Sequence, residues 1–197
     1  MIGIIDCGTG NLNSVKNALD YLRTKSKVVN TPEEIENADA IILPGVGAFG
    51  FVMDNLRDKG LEMPIRNSIK DGKPFLGICL GLQALFEESE ESKGVKGLGI
   101  FKGKAVKFSK GKVPQVGWNK VIPTKKGIFR ESYFYFVNSY YVVPEEKEIV
   151  AATTDYFGSF VSGIQYKNVA AVQFHPEKSG KSGLELLRRW LKCSLKE

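Results

Sequence analysis

Cys79 stands inside Gly77-Ile78-Cys79-Leu80-Gly81, at the end of the apolar run Pro74 to Ile78. That run has the length and composition of a buried strand. Beyond it, Leu82, Leu85 and Phe86 recur at helical spacing, which predicts a helix from Leu80 to Glu88. A cysteine at so tight a strand-to-helix turn has the form of a nucleophile elbow. Glycines on both sides remove the Cβ atoms that would clash there. The start of a helix favours a negatively charged sulfur, and the Leu80 N–H is placed to donate to an oxyanion. The competing reading is a small hydrophobe buried in a glycine-rich turn. The motif alone does not decide between them.

A thiol nucleophile needs a base, and the chain has one histidine, His175. It closes the strand-like run Val169 to Phe174 and precedes Pro176 and Glu177. Proline holds the residue before it extended, and in an extended chain residues two apart point the same way. His175 and Glu177 are thus expected to present imidazole and carboxylate together, as the base and orienter of a triad. A lone histidine at a strand end is more often a satisfied structural residue; the neighbouring carboxylate weakens that reading. Sites in open α/β sheets gather at the carboxyl ends of strands, and Cys79 and His175 each follow a predicted strand.

The elements that must hold these residues alternate in the first half. Ile2 to Ile5 predicts a strand, Asp6 to Gly10 a turn, and Leu12, Val15, Leu19 and Leu22 a helix capped by Asn11 or Asn13. Gly8-Thr9-Gly10 is a weak dinucleotide signal, since position 13 is Asn instead of the third glycine. Ser26 to Asn30 predicts a second strand, and Thr31-Pro32-Glu33-Glu34 has capping-box spacing with proline at N1. A third strand, Ala38 to Leu43, runs into Pro44-Gly45-Val46-Gly47, whose backbone N–H groups could approach a ligand or simply form a tight turn. Ala48 to Asp71 reads as helix in two pieces, broken near Gly60 and Pro64. Glu87, Glu88, Glu90 and Glu91 would crowd the negative end of the helix after Cys79; most read as a solvated face, with one available to a substrate ammonium.

From Gly94 the texture turns β-rich, with strands near Ile100 to Phe108, Val116 to Ile122, Tyr133 to Val137, Glu148 to Thr153 and Phe160 to Gln165, then a helix from Gly180 to about Leu195. Tyr133 to Tyr141 holds six aromatic residues, which either fill the core or, if alternate ones face solvent, form a docking patch. The expectation is a single domain over residues 1–197. At 43% hydrophobic and 25% charged residues, the composition is that of an ordinary globular protein. The +6 charge is scattered among acidic residues without a basic run, which argues against nucleic acid. No apolar run is long enough to span a membrane, and the start Met1-Ile2-Gly3-Ile4-Ile5 shows no leader pattern, so a cytoplasmic location is expected. The three widely spaced cysteines suit neither a disulfide framework nor a zinc site.

Pro44 to Gly47, Gly77 to Gln83 and Phe174-His175-Pro176-Glu177 together resemble the class I (triad) glutamine amidotransferases. Asp6 to Asn11, Gly117-Trp118-Asn119, Phe136 to Tyr140 and Gln173 to Ser179 are similar to the branch formed by the glutaminase subunits of imidazole glycerol phosphate synthases. The resemblance spans essentially the whole chain. It implies a flavodoxin-like three-layer α/β fold: a central, mostly parallel sheet, helices on both faces and a β-rich C-terminal half. It implies Cys79, His175 and Glu177 as the triad and L-glutamine as substrate, with no cofactor and no metal. Leu80 and the Val46/Gly47 segment would form the oxyanion hole; Gln83, Gly47, Ser139, Tyr140 and Glu91 would hold the amino-acid end of the substrate. It further implies a heterodimer with a (β/α)-barrel cyclase, docked through Asn11, Trp118, Asn119 and Tyr135. Asn138 stands where many members carry His, and Cys7 where an aromatic is common. A glutaminase subunit of another pathway, a cysteine hydrolase of similar fold and a non-catalytic interaction protein are the rivals; the first would lack the Gly-Trp-Asn and Val-Gly features, the second would not need Gln83 or a barrel partner, and the third is opposed by the intact triad set.

Overall fold

A computed structural model of the chain describes residues 1–9 and 11–195; Gly10, in the expected first turn, lies outside them. The first half alternates as β1 (Ile2–Ile5), α1 (Leu12–Tyr21), β2 (Ser26–Val29), α2 (Pro32–Asn37), β3 (Ala40–Gly45), α3 (Phe49–Asp58), α4 (Glu62–Lys70), β4 (Phe75–Cys79) and α5 (Leu80–Gln83). The second half holds β5 (Glu88–Ser89), β6 (Gly103–Lys107), β7 (Gln115–Pro123), β8 (Ser132–Asn138), β9 (Tyr140–Pro144), β10 (Val150–Asp155), β11 (Ser159–Tyr166), β12 (Val169–Val172) and α6 (Gly180–Ser194). The sheet runs β2-β1-β3-β4-β12-β11-β10-β7-β8. Its first five strands are parallel, and β11 begins the antiparallel continuation.

Period-two alternation splits the apolar residues of the parallel strands between two cores. Ile41 and Leu43 pack with Leu56 of α3 and Ile65 of α4 on one face. Ala40 and Ile42 pack with Val15 and Leu19 of α1 and Leu187 and Trp190 of α6 on the other. The three-layer α/β arrangement is the one expected.

Local signals fared unevenly. Thr31 caps α2, its side chain accepting from Glu34 N at 3.3 Å with Pro32 at N1. Asn11 occupies the N-cap of α1, but its side chain makes no capping hydrogen bond. Pro64 does not break the helical stretch; it lies within the first turn of α4, where a missing N–H costs nothing, and the break falls between Asp58 and Glu62. The predicted helix from Leu80 to Glu88 ends at Gln83. The carbonyls that would have continued it accept from the 97–101 segment instead: Ala84 O from Leu98 N (2.7 Å), Leu85 O from Ile100 N (2.9 Å) and Glu87 O from Gly97 N (2.9 Å). The glutamates therefore do not crowd a helix end. Glu87 and Glu90 accept from the backbone N–H groups of Gly103 and Lys107, and Glu88 pairs with Lys96. β9 is an additional strand that the sequence pattern does not separate from β8, because only Ser139 lies between them.

Candidate active site

Register brings the two distant segments to one rim. β4 is parallel to β3 and to β12, with Gly45 opposite Cys79 and Val172 opposite Ile78. Cys79 is the last residue of β4, and His175 follows β12 by three residues, so both leave the sheet at its carboxyl edge. Together with Val46, Gly47, Leu80, Gln83, Glu91, Ser139 and Tyr140 they line one cavity of about 420 Å³.

Cys79 is the strained point. Its φ of 56° and ψ of −105° put a residue with a Cβ in a conformation that L-residues seldom adopt. Backbone crowding enforces the turn: a Cβ on Gly81 would sit 1.8 Å from the Leu43 carbonyl oxygen, and one on Gly77 would sit 2.5 Å from that of Gly81. Gly45 is pressed likewise against Leu80 Cβ, at 2.8 Å. With helix α5 only four residues long, the N–H of Leu80 and its immediate successors matter more than any macrodipole.

His175 is fixed from three sides. Its N–H donates to the Tyr135 carbonyl (2.9 Å), and its own carbonyl accepts from the Ser179 hydroxyl (2.6 Å), which in turn accepts from Tyr135 N (3.0 Å). Nδ1 meets Glu177 Oε1 at 2.8 Å, and the ring lines the same cavity as Cys79. The two side chains meet for a reason other than the expected extended run: His175 is extended, but residues Pro176–Lys178 form a 3₁₀ turn that swings Glu177 back. Burial opposes the imidazolium, yet Cys79 and the hydrogen-bonded Glu177 carboxylate beside the ring outweigh it, pushing the His175 pKa up to about 10.

The remaining residues separate by role. Val46 and Gly47 follow β3 directly, because Pro44 and Gly45 extend that strand beyond the predicted Leu43. Gly47 is at φ 97°. Gln83 is buried, its Nε2 donating to Tyr140 O (3.3 Å) and Gln173 Oε1 (3.2 Å). Glu91 lines the cavity but uses Oε2 to accept from Phe49 N at 2.7 Å, capping α3 from outside. Asn138 donates to Tyr140 O at 3.0 Å. Sequence reasoning assigned no role to Ser179 or to Gln173, which is fully buried with Nε2 3.6 Å from Cys79 Sγ. The same alternation that paired His175 with its neighbour two residues on would have pointed to Gln173, two residues before it.

The aromatic run divides by alternation. Phe134 and Phe136 are buried, while Tyr133 and Val137 are exposed on the opposite face of β8. Trp118, 57% exposed, pairs across the strands with Tyr135 at 6.2 Å between ring centres, and Val116 pairs with Val137. Asn119 borders this patch with its amide donating to Asp155 O (2.8 Å), and Asn11 is half-buried at the start of α1.

A cysteine thrown out on a strained turn, beside a buried imidazole–carboxylate pair and backbone N–H groups, can perform acyl transfer through a thioester. The family model described as glutamine amidotransferase class-I matches residues 3–193, and the chain belongs to that family. Among its relatives, the imidazole glycerol phosphate synthase subunit HisH of Pyrococcus furiosus is 52% identical over 195 residues, covering 96% of this chain and 97% of that protein. The HisH subunit of Methanothermobacter thermautotrophicus is 47% identical, covering 97% and 98% of the two chains. A crystal structure of a glutamine amidotransferase superposes with a TM-score of 0.80 at 21% identity, covering 98% of each chain, a likeness that concerns the fold.

Proposed function

We propose that this chain is the glutaminase subunit of imidazole glycerol phosphate synthase, a single domain over residues 1–197 acting in the cytoplasm. The observation that carries the chemistry is the buried His175–Glu177 pair, 2.8 Å apart, whose imidazole lines the same cavity as the strained Cys79. The assignment to this synthase rests on the likeness to HisH subunits over nearly the full chain.

Cys79 passes its proton to His175 as its sulfur attacks the side-chain amide carbon of L-glutamine, and the C–N bond breaks as His175 gives that proton to the departing ammonia. Leu80 N–H and a backbone N–H of Val46 or Gly47 receive the oxyanion. Water, activated by His175, then hydrolyses the glutamyl thioester to glutamate and restores the thiol. Glu177 keeps the ring oriented and stabilises imidazolium. Gln83, Ser139, Tyr140 and Glu91, with Gly47, hold the amino-acid end of the substrate.

Ammonia passes to a (β/α)-barrel cyclase in a heterodimer, which makes imidazole glycerol phosphate and aminoimidazole carboxamide ribonucleotide. Trp118, Tyr135, Asn119 and Asn11 form the docking surface. β8 gives the partner a route to the chemistry, since its Tyr135 carbonyl holds His175 N–H while Tyr135 packs against Trp118 on the outside. Glutaminase turnover is expected to be slow alone and to rise when the cyclase subunit and its ligand are added. High unassisted turnover, unchanged by that partner, would contradict the assignment to the histidine pathway.

A further inference from the structure

We infer that Gln173 is a positioning residue for the nucleophile, held in its working orientation by Gln83. The Tyr140 carbonyl can only accept. Gln83 Nε2 donates to it at 3.3 Å, so the nitrogen end of that amide faces Tyr140. The same nitrogen donates its second hydrogen to Gln173 Oε1 at 3.2 Å. With its oxygen fixed on Gln83, Gln173 must turn its own NH₂ toward Cys79, and Nε2 lies 3.6 Å from the sulfur. Each amide thus orients the next, from the cavity wall to the nucleophile.

Gln173 has no exposed surface and Gln83 is 3% exposed, so water does not compete for these bonds. A buried N–H directed at sulfur stabilises negative charge there, both in the attacking thiolate and in the thiolate that leaves when the thioester is hydrolysed. It also limits rotation of a side chain whose backbone is already strained. Gln173 touches no reacting carbon and exchanges no proton. It acts through Cys79, and Gln83 acts on the sulfur only through Gln173.

This rests on Cys79 being the nucleophile of the proposed glutaminase, but its test does not require turnover. The rate of alkylation of Cys79 by iodoacetamide at neutral pH, followed by peptide mass spectrometry in the full chain, reads the sulfur alone. Gln173→Leu is expected to slow it about tenfold, the size of a lost hydrogen bond to a charged group. Gln83→Leu, which removes no contact to sulfur, is expected to slow it several-fold, and the double variant to react no more slowly than Gln173→Leu alone. Gln173→Met carries the same test if the Leu variant does not fold. Unchanged alkylation in a folded Gln173 variant, or two effects that multiply in the double variant, would overturn the inference while leaving glutamine hydrolysis by the wild-type chain as a separate question.

Discussion

Burial alone would strip the proton from His175, and the neighbours of the ring reverse that outcome. Cys79 and Glu177 together hold the imidazolium against desolvation, with the pKa pushed up to about 10. A histidine protonated at neutral pH is the acid that a departing ammonia requires. The same shift carries a sign for stability. Because the folded value exceeds the ordinary value of 6.5, the stabilisation is fully present below about pH 6.5 and is lost as pH rises through about 10. Thermal midpoints of the wild type and Glu177→Gln should therefore differ most near pH 6 and converge toward pH 10; a gap that widens with pH would contradict this. Cys7 shows the opposite environment, as burial pushes its thiol up and Sγ donates to the Pro44 carbonyl at 3.1 Å. Its place under the Pro44 turn is structural.

At the scale of elements, the elbow depends on backbone meeting backbone. Gly81→Ala would drive a Cβ into the Leu43 carbonyl of β3, where no flexible side chain can yield. A loss of more than about 2 kcal/mol in urea unfolding is expected. Gly47→Ala differs, because the nearest atom to its Cβ is Thr9 Cγ2 at 4.0 Å, so only the positive φ is at stake. It should cost about 1 kcal/mol in stability while impairing turnover far more than that loss explains. Equal loss of stability in the two variants would contradict this account of the turn. The glycines, the alternating strands of the first half and the residue types of the site were legible in the sequence because each is a local signal. The end of α5 was not, since the carbonyls that stop it are claimed by residues 97–101, a tertiary contact with no periodicity to reveal it. The 3₁₀ turn at Pro176 and the outside capping of α3 by Glu91 escaped for the same reason. Gln173 was given no role from sequence, although its place two residues before His175 would have pointed to it; its partner Gln83 is brought to it only by the fold.

For the whole molecule, the exposed Trp118 packs against half-buried Tyr135 on the outer face of the hairpin that also grips His175. Trp118→Ala should weaken association with the cyclase by about 2 kcal/mol, roughly 30-fold in Kd, as a central aromatic anchor would. The thermal midpoint of the isolated chain should stay nearly unchanged, since Trp118 is largely exposed. Calorimetric titration checks the first and thermal unfolding the second; undiminished affinity would move the docking surface elsewhere. A parallel register delivers sulfur and imidazole from two remote segments to a single rim, with the Glu177 carboxylate on the imidazole. Peptide mapping after reaction with an electrophile shaped like glutamine tests it most directly. Modification confined to Cys79, blocked by glutamine and much slower in His175→Asn, is the predicted result; modification spread over Cys7, Cys79 and Cys193, or indifferent to the histidine, would contradict it.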